Sequence, residues 1–419
     1  MYRFRLNARS HAGSIERTLL FGLSWLLAAS VWPLTATASA PVKNSAAPAL
    51  AASRPDPEKF LLEIYRDLAA NHLRAAQAKA DALVQAYPNF RLGHLIRGDV
   101  LLMHTHQVTT LGAVGGAEEK LGNLRAEAMV RLKSLRERPD PDLVPRSILQ
   151  LREDQKHVLV VDAKRSRLYV YEHRAGQLTF VKDYYISQGK LGVDKFKAGD
   201  QKTPLGVYYI TSRLPGARLP DFYGTGALPI NYPNDWDKRN GRSGSGIWLH
   251  GTPSDSYSRP PLSSDGCVVL TNPDLSQLYD SIEVGKTPVV ISDGVEFVNK
   301  TKWNNDRNVA IRLTDAWRRD LQSMSASRLL AHYSRQFKSE HGEDLATWFA
   351  KQQQTLNGIK TAIVTLRDVT FFLYPGQTDM IVGTFTEDVL IGKNRNSIRK
   401  RQYWVKEGAQ WKIISEITL

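Results

Sequence analysis

From Phe60 onward apolar residues return at every fourth position: Phe60, Ile64 and Leu68, then Ala76, Ala80 and Val84. That spacing keeps them on one face of a helix. "AYPNF" at 86–90 interrupts the pattern, and Leu92, Leu95 and Ile96 resume it. "GAEEKLGNLRAEAMVRLKSL" adds one more helix, preceded by Gly115 and Gly116 and followed by Pro139 and Pro141. Residues 58–150 therefore read as a helical domain. A single helical hairpin exposes a long apolar face and cannot close a core alone. Leu61, Ile64, Leu68, Leu92 and Leu95 are expected against a second subunit or against the β-rich domain that follows.

At His157 the period drops to two. "HVLVVDAKRSRLYVYEH", "LTFVKDYYIS", "GVYYITS", "GIWLHG", "CVVLT" and "TPVVIS" are short β-branched and aromatic runs separated by Gly, Pro and Asp. They predict a mostly-β unit over 157–293, with a short helix at "NPDLSQLYDSI". From Trp303 the helical period returns, with Leu313, Trp317 and Leu321 on one face. Long alternating strands then close the chain, the last two joined by "KEGAQ". Helices followed by antiparallel strands predict an α+β domain over 303–419. The expected fold is thus a multi-domain chain: helical, then mostly β, then α+β.

The first 40 residues do not fit these patterns. Arg3, Arg5, Arg9 and Arg17 precede the apolar run "TLLFGLSWLLAASVWPL", and "TATASA" ends in a small-residue pattern at Ala38–Ala40. This order reads as a secretory signal peptide cut near Ala40. Residues 41–57, rich in Ala, Pro and Ser, read as a linker. Export predicts a periplasmic protein. The formal net charge is +14, which outside the cytoplasm points to anionic wall polymers or lipid headgroups. No basic run with interleaved aromatics argues for nucleic acid.

Export sharpens the question of Cys267, the single cysteine. It has no partner in the chain for a disulfide, and a free thiol in an oxidising compartment is a liability. Seventeen positions upstream lies His250, followed by Gly251. An imidazole can take a thiol's proton and generate the thiolate that attacks carbonyls. Its other nitrogen needs an acceptor to fix the tautomer. No Asp or Asn is placed for this in sequence, so the Gly251 carbonyl is the expected acceptor. Gly266 leaves room for a substrate carbonyl near the backbone amides around Cys267, which would hold an oxyanion. No metal-ligand or cofactor motif is present.

Four segments in this order, "KTPLGVYYIT" (202–211), "IWLHGT" (247–252), "SSDGCVVL" (263–270) and "LSQLYDSIEVGKTPVVIS" (275–292), resemble the L,D-transpeptidase (YkuD) catalytic domain. The helix with Trp317, "HYSRQF" at 332–337 and "YWVKEGAQWKII" at the end resemble the nuclear transport factor 2-like fold. The break at 86–90 resembles a tetratricopeptide hairpin. The domain order looks like that of the L,D-carboxypeptidases that set helical cell shape, and of some envelope transpeptidases.

The resemblance implies a β-barrel or sandwich with Cys267 and His250 in a cleft, no cofactor, and peptidoglycan stem peptides as substrate. Cys267 would be the nucleophile, His250 the base, Gly251 its orienting carbonyl. Gly266 and Ser264 would border the oxyanion site. Two positions depart from the family's pattern. Asp265 stands where a basic residue is usual, and Val269 where Asn or Arg often follows the cysteine by two places. Asp265 would attract an acceptor ammonium or cap a turn. An amine acceptor gives transpeptidation, water gives carboxypeptidase trimming; the catalytic-domain resemblance ranks the amine first. A wall-binding scaffold without activity is the alternative outside enzymes. The C-terminal domain is expected to bind or dimerise, with a pocket wall drawn from Trp317, Tyr333, Phe337, Trp348, Phe371, Tyr403 and Trp411. A chain ending near Gly294 is expected to keep its chemistry.

Overall fold

Asp56 accepts a hydrogen bond from the Glu58 amide and Pro57 takes the first turn, so α1 (Pro57–Ala69) starts where the sequence stops resisting a helix. The computed structural model describes residues 56–112, 118–359 and 361–419. The expected signal peptide, nearly all of the linker and the Gly115–Gly116 pair lie outside them. α2 (Leu73–Ala86), α3 (Arg91–Leu102) and α4 (Glu118–Arg136) follow. Leu61, Ile64, Ala76, Ala80, Leu83, Phe90, Leu92 and Ile96 close one core. The inward residue of α2's last turn is Leu83, and Val84 is only half-buried.

The apolar stripe is thus covered inside the chain, by α3, α4 and a residue from far downstream. Tyr257 inserts its ring 4.9 Å from both Tyr87 and Phe90. Buried Arg131 on α4 pairs with Glu58 and Glu127 and lies 3.7 Å over the Tyr185 ring. These contacts fasten the helical layer to the β-rich region.

Residues 144–150 are not helical as expected. Val144–Pro145 pairs with Phe297–Val298, and Ile148–Gln150 joins the edge of the C-terminal sheet beside Ile363–Leu373. The chain contributes to the last sheet before it builds the middle one, a crossing that no local period can report.

The middle region holds two packed sheets. The first has five strands in the order Gln177–Tyr185, Arg167–Arg174, His157–Asp162, Pro288–Ser292, Gly206–Tyr209; the second orders Val268–Val269, Trp248–His250, Gly226–Pro229, Leu214–Pro215. Leu159, Val161, Leu168, Ile186, Leu249 and Val268 fill the space between them. The opposite face of the first sheet is also covered: Val158, Val160, Tyr169 and Val290 pack with Phe372, Tyr374 and Tyr403 of the C-terminal sheet. Burial on both faces explains why "VLVV" runs apolar without alternation.

The C-terminal domain packs α5 (Lys300–Gln322) on a curved six-stranded sheet. Trp317, Tyr333, Phe337, Phe371 and Trp404 form its core. Most of the residues expected to wall a pocket are packed here against one another; Tyr333, Phe337 and Trp348 lie with ring centroids 4.8–5.2 Å apart. A cavity of about 400 Å³ does open between α5 and strand Ile363–Leu373, but of the expected wall only Phe371 lines it. Tyr403 faces the other way and stacks on Trp236 at 5.1 Å. Trp236 sits on a short helix, Asp235–Arg239, tied to the C-terminal sheet by Asn234 Nδ2 to Tyr374 Oη (2.9 Å) and by Arg401 to Asp235 (2.6 Å).

Candidate active site

Strand Trp248–His250 runs parallel to Val268–Val269, with Leu249 opposite Val268 and His250 opposite Val269. Side chains alternate along a strand. Leu249, Val268 and Leu270 therefore point into the core, each 0–1% exposed. His250 and Cys267, on the other face, are diagonal neighbours across the pair. The Cys267 thiol donates to the Gly246 carbonyl at 3.4 Å, and the Trp248 amide faces the sulfur. Seventeen residues of sequence separation thus collapse to one strand-to-strand step.

The His250 tautomer follows from its partner. Nδ1 lies 2.7 Å from the Gly251 carbonyl, which can only accept, so Nδ1 carries the proton and Nε2 keeps its lone pair. The ring is buried, 1% exposed, edge-on to Tyr223 (5.1 Å) and tilted against Phe222 (5.6 Å). Burial pulls its pKa down to about 4, against the pull of the Gly251 hydrogen bond, and nearby Arg259 lowers it further. Burial also pushes the Cys267 thiol up, although the Trp248 amide and Arg259 favour the thiolate. The resting pair is therefore neutral thiol and neutral imidazole, not the preformed ion pair the residues alone suggest.

The two glycines are needed for different reasons. Gly251 has an ordinary backbone; a Cβ there would sit 2.1 Å from Asn272 Oδ1. Asn272 cannot retreat, since it accepts from the Thr225 amide (3.0 Å) and donates to the Thr252 carbonyl (2.8 Å). Close approach demands the glycine. Gly266 adopts φ +125°, and a Cβ would lie 2.7 Å from the Lys202 carbonyl.

Ser264 serves the turn. Its hydroxyl donates to the Cys267 carbonyl at 2.6 Å and accepts from the Gly266 amide at 3.1 Å. Both of these bonds stay within the turn, and they engage the Ser264 hydroxyl and the Gly266 amide there. Asp265 is 70% exposed and bound by Lys190 (3.0 Å) and Gln201 (3.1 Å). The Lys190 hydrogen bond holds its carboxyl below the usual range. A cation does stand at this edge of the cleft, supplied by Lys190 across an ion pair. Sequence reasoning missed Phe222, Tyr223, Arg259 and Asn272. The first two precede a glycine-rich turn with no periodic signal, and Arg259 lies in a loop of turn formers.

A buried, tautomer-fixed imidazole beside a thiol on the rim of two packed sheets is the arrangement of a thiol-dependent acyl-transfer enzyme. The chain belongs to the L,D-transpeptidase (YkuD) family. The L,D-transpeptidase catalytic domain model matches residues 156–291, and the model of the Cds6 C-terminal NTF2-like domain matches 310–417. Among solved structures it is similar to Bd1075 of Bdellovibrio bacteriovorus, at 30% identity and TM-score 0.59 over 66% of this chain and 98% of that one. It is also similar in fold to the helical cell shape determining protein Pgp2 of Campylobacter jejuni, at 22% identity and TM-score 0.56 over 65% of this chain and 95% of that one. A comparison with curated proteins gave no match.

Proposed function

We propose that this protein is a periplasmic peptidoglycan-trimming enzyme, an L,D-carboxypeptidase that acts through a thioester on Cys267. The observation that carries the reading is the Nδ1–H bond from His250 to the Gly251 carbonyl, which leaves Nε2 free to take the thiol proton. Cys267 attacks the carbonyl at the L-centre of the third stem residue, and His250 receives the proton. The bond to the terminal D-residue's nitrogen breaks, and His250 returns the proton to the leaving amine. Water, activated by the same imidazole, then releases a carboxylate and restores the thiol. The Cys267 amide is the donor assigned to the oxyanion. The periplasm is where this substrate lies and where the leader at 1–40 would deliver the chain.

The charges around the thiol favour water over an amine as acceptor. The Asp265 carboxylate is already matched by Lys190, and Arg259 adds a positive charge beside the thiol, which does not attract a protonated amine. This reverses the order that the catalytic-domain resemblance alone suggests. The similarity to a protein named for helical cell shape fits wall trimming. The test is mass spectrometry of purified muropeptides incubated with the protein. Tripeptide products support trimming, and new L,D-crosslinks would instead make it a transpeptidase. Unchanged muropeptides, with no acylation of Cys267, would leave a wall-binding scaffold. Cys267→Ala and His250→Ala should each abolish acyl-enzyme formation while keeping the fold.

A further inference from the structure

Arg259 lies in the loop between His250 and Cys267. Its guanidinium sits 4.4 Å over the Phe222 ring, which itself lies 5.2 Å from the Tyr223 ring and 5.6 Å from the His250 ring. Phe222 is itself 49% exposed, so this stack stands at the mouth of the cleft. Buried arginines elsewhere in the molecule have carboxylates: Arg131 has Glu58 and Glu127, Arg167 has Asp183, Arg401 has Asp235. Among the described residues the half-buried Arg259 guanidinium has neither an ion pair nor a hydrogen bond. Asp265, the acid whose charge it feels, is engaged by Lys190 and Gln201.

Partial burial of a cation without a partner is costly unless something of opposite charge arrives. The loop is also held for the purpose from several directions. The Tyr257 amide donates to the Asn89 carbonyl (3.2 Å), and Asn89 Nδ2 donates to the Ser254 carbonyl (3.1 Å). Ser258 Oγ donates to Glu127 (2.7 Å), and Tyr185 Oη donates to the Arg259 carbonyl itself (2.8 Å). The helical layer thus fixes the backbone on which Arg259 is mounted, which lowers the ordering cost of any ligand it holds. The Arg259 charge favours the thiolate form of Cys267, which puts the guanidinium within electrostatic reach of the sulfur.

We propose that Arg259 is the carboxylate-binding residue of the cleft, and that it selects stem peptides by a free carboxylate near the bond to be cleaved. The proposal rests on the substrate class given above. Such a peptide carries two carboxylates within reach of the scissile carbonyl: the terminal one of the leaving D-residue, and the one on the side chain of a third-position diaminopimelate. Guanidinium offers either a two-pronged hydrogen bond that lysine cannot reproduce. The Phe222 ring keeps the fork flat and shields one side from water.

The test uses the full chain and four synthetic tetrapeptides: free acid, terminal amide, diaminopimelate side-chain amide, and both. Kd is measured on Cys267→Ala with and without Arg259→Gln, and KM and kcat on the active forms. Loss of a charge-assisted contact predicts binding weaker by roughly 10- to 100-fold for Arg259→Gln on the free acid, mainly in KM. One of the single amides should lose the same factor in the Arg259 form and nothing further in Arg259→Gln, which identifies the carboxylate held. Arg259→Lys should recover only part. Equal losses on all four peptides, or none, would overturn the proposal. Peptides that bind with this pattern but are never cleaved would refute the enzymatic reading and leave the carboxylate site standing. Failure of the free acid to bind at all would overturn both.

Discussion

Acid should strip stability from this protein through one ring. His250 is buried as the neutral imidazole, with a folded pKa of about 4 against an ordinary 6.5. As pH falls below 6.5 the unfolded chain binds a proton there, while the native state does not until about pH 4. Stability from this site is therefore complete above pH 6.5 and is lost progressively down to 4. The interval corresponds to about 3 kcal/mol at about 1.4 kcal/mol per pH unit. Urea unfolding at several pH values in that window, on the wild type and on His250→Gln, isolates the term, because other titrating groups are common to both proteins. The wild type should lose about 3 kcal/mol more than the variant between neutral pH and pH 4. The acid limb of kcat/KM in the wild type should likewise fall near 4 rather than near 6.5. Parallel stability curves, or an acid limb at the ordinary histidine value, would refute a neutral, desolvated base.

Three further outcomes follow from the packing. Gly251→Ala should abolish activity, since its Cβ must displace Asn272 and with it the carbonyl that orients His250; a crystal structure with Asn272 unmoved and full turnover would contradict this. Ile64→Glu puts an unpaired charge at a position 0% exposed within the chain's own helical core; it should cost several kcal/mol and lower the melting temperature without changing the mass by light scattering. A chain cut after Gly294 should aggregate or bind a hydrophobic dye rather than stay active, because it bares Trp236, Val160 and Val290 and leaves Ile148–Gln150 without its sheet; a soluble, active fragment would show that the C-terminal sheet is dispensable.

Much of this protein is local in origin. A four-residue apolar period is enough to set α1 to α3, and alternation is enough to mark the strands, since each reports which side of one element is buried. The Gly-Cys and His-Gly pairs were legible because each acts within a few residues of itself: His250 finds its acceptor on the next residue, and Ser264 closes the turn at Cys267. What only the tertiary structure decided lies between segments far apart. Ile148 pairs with Phe372, Tyr257 fills the gap between Tyr87 and Phe90, and Arg259 comes to rest over Phe222 near Cys267. None of these partners shares a period with the other, so no window along the chain contains both. The protonation of the site belongs to the same class. A histidine and a cysteine have ordinary acidities in the sequence, and it is burial on the shared face of two strands that makes both neutral at rest.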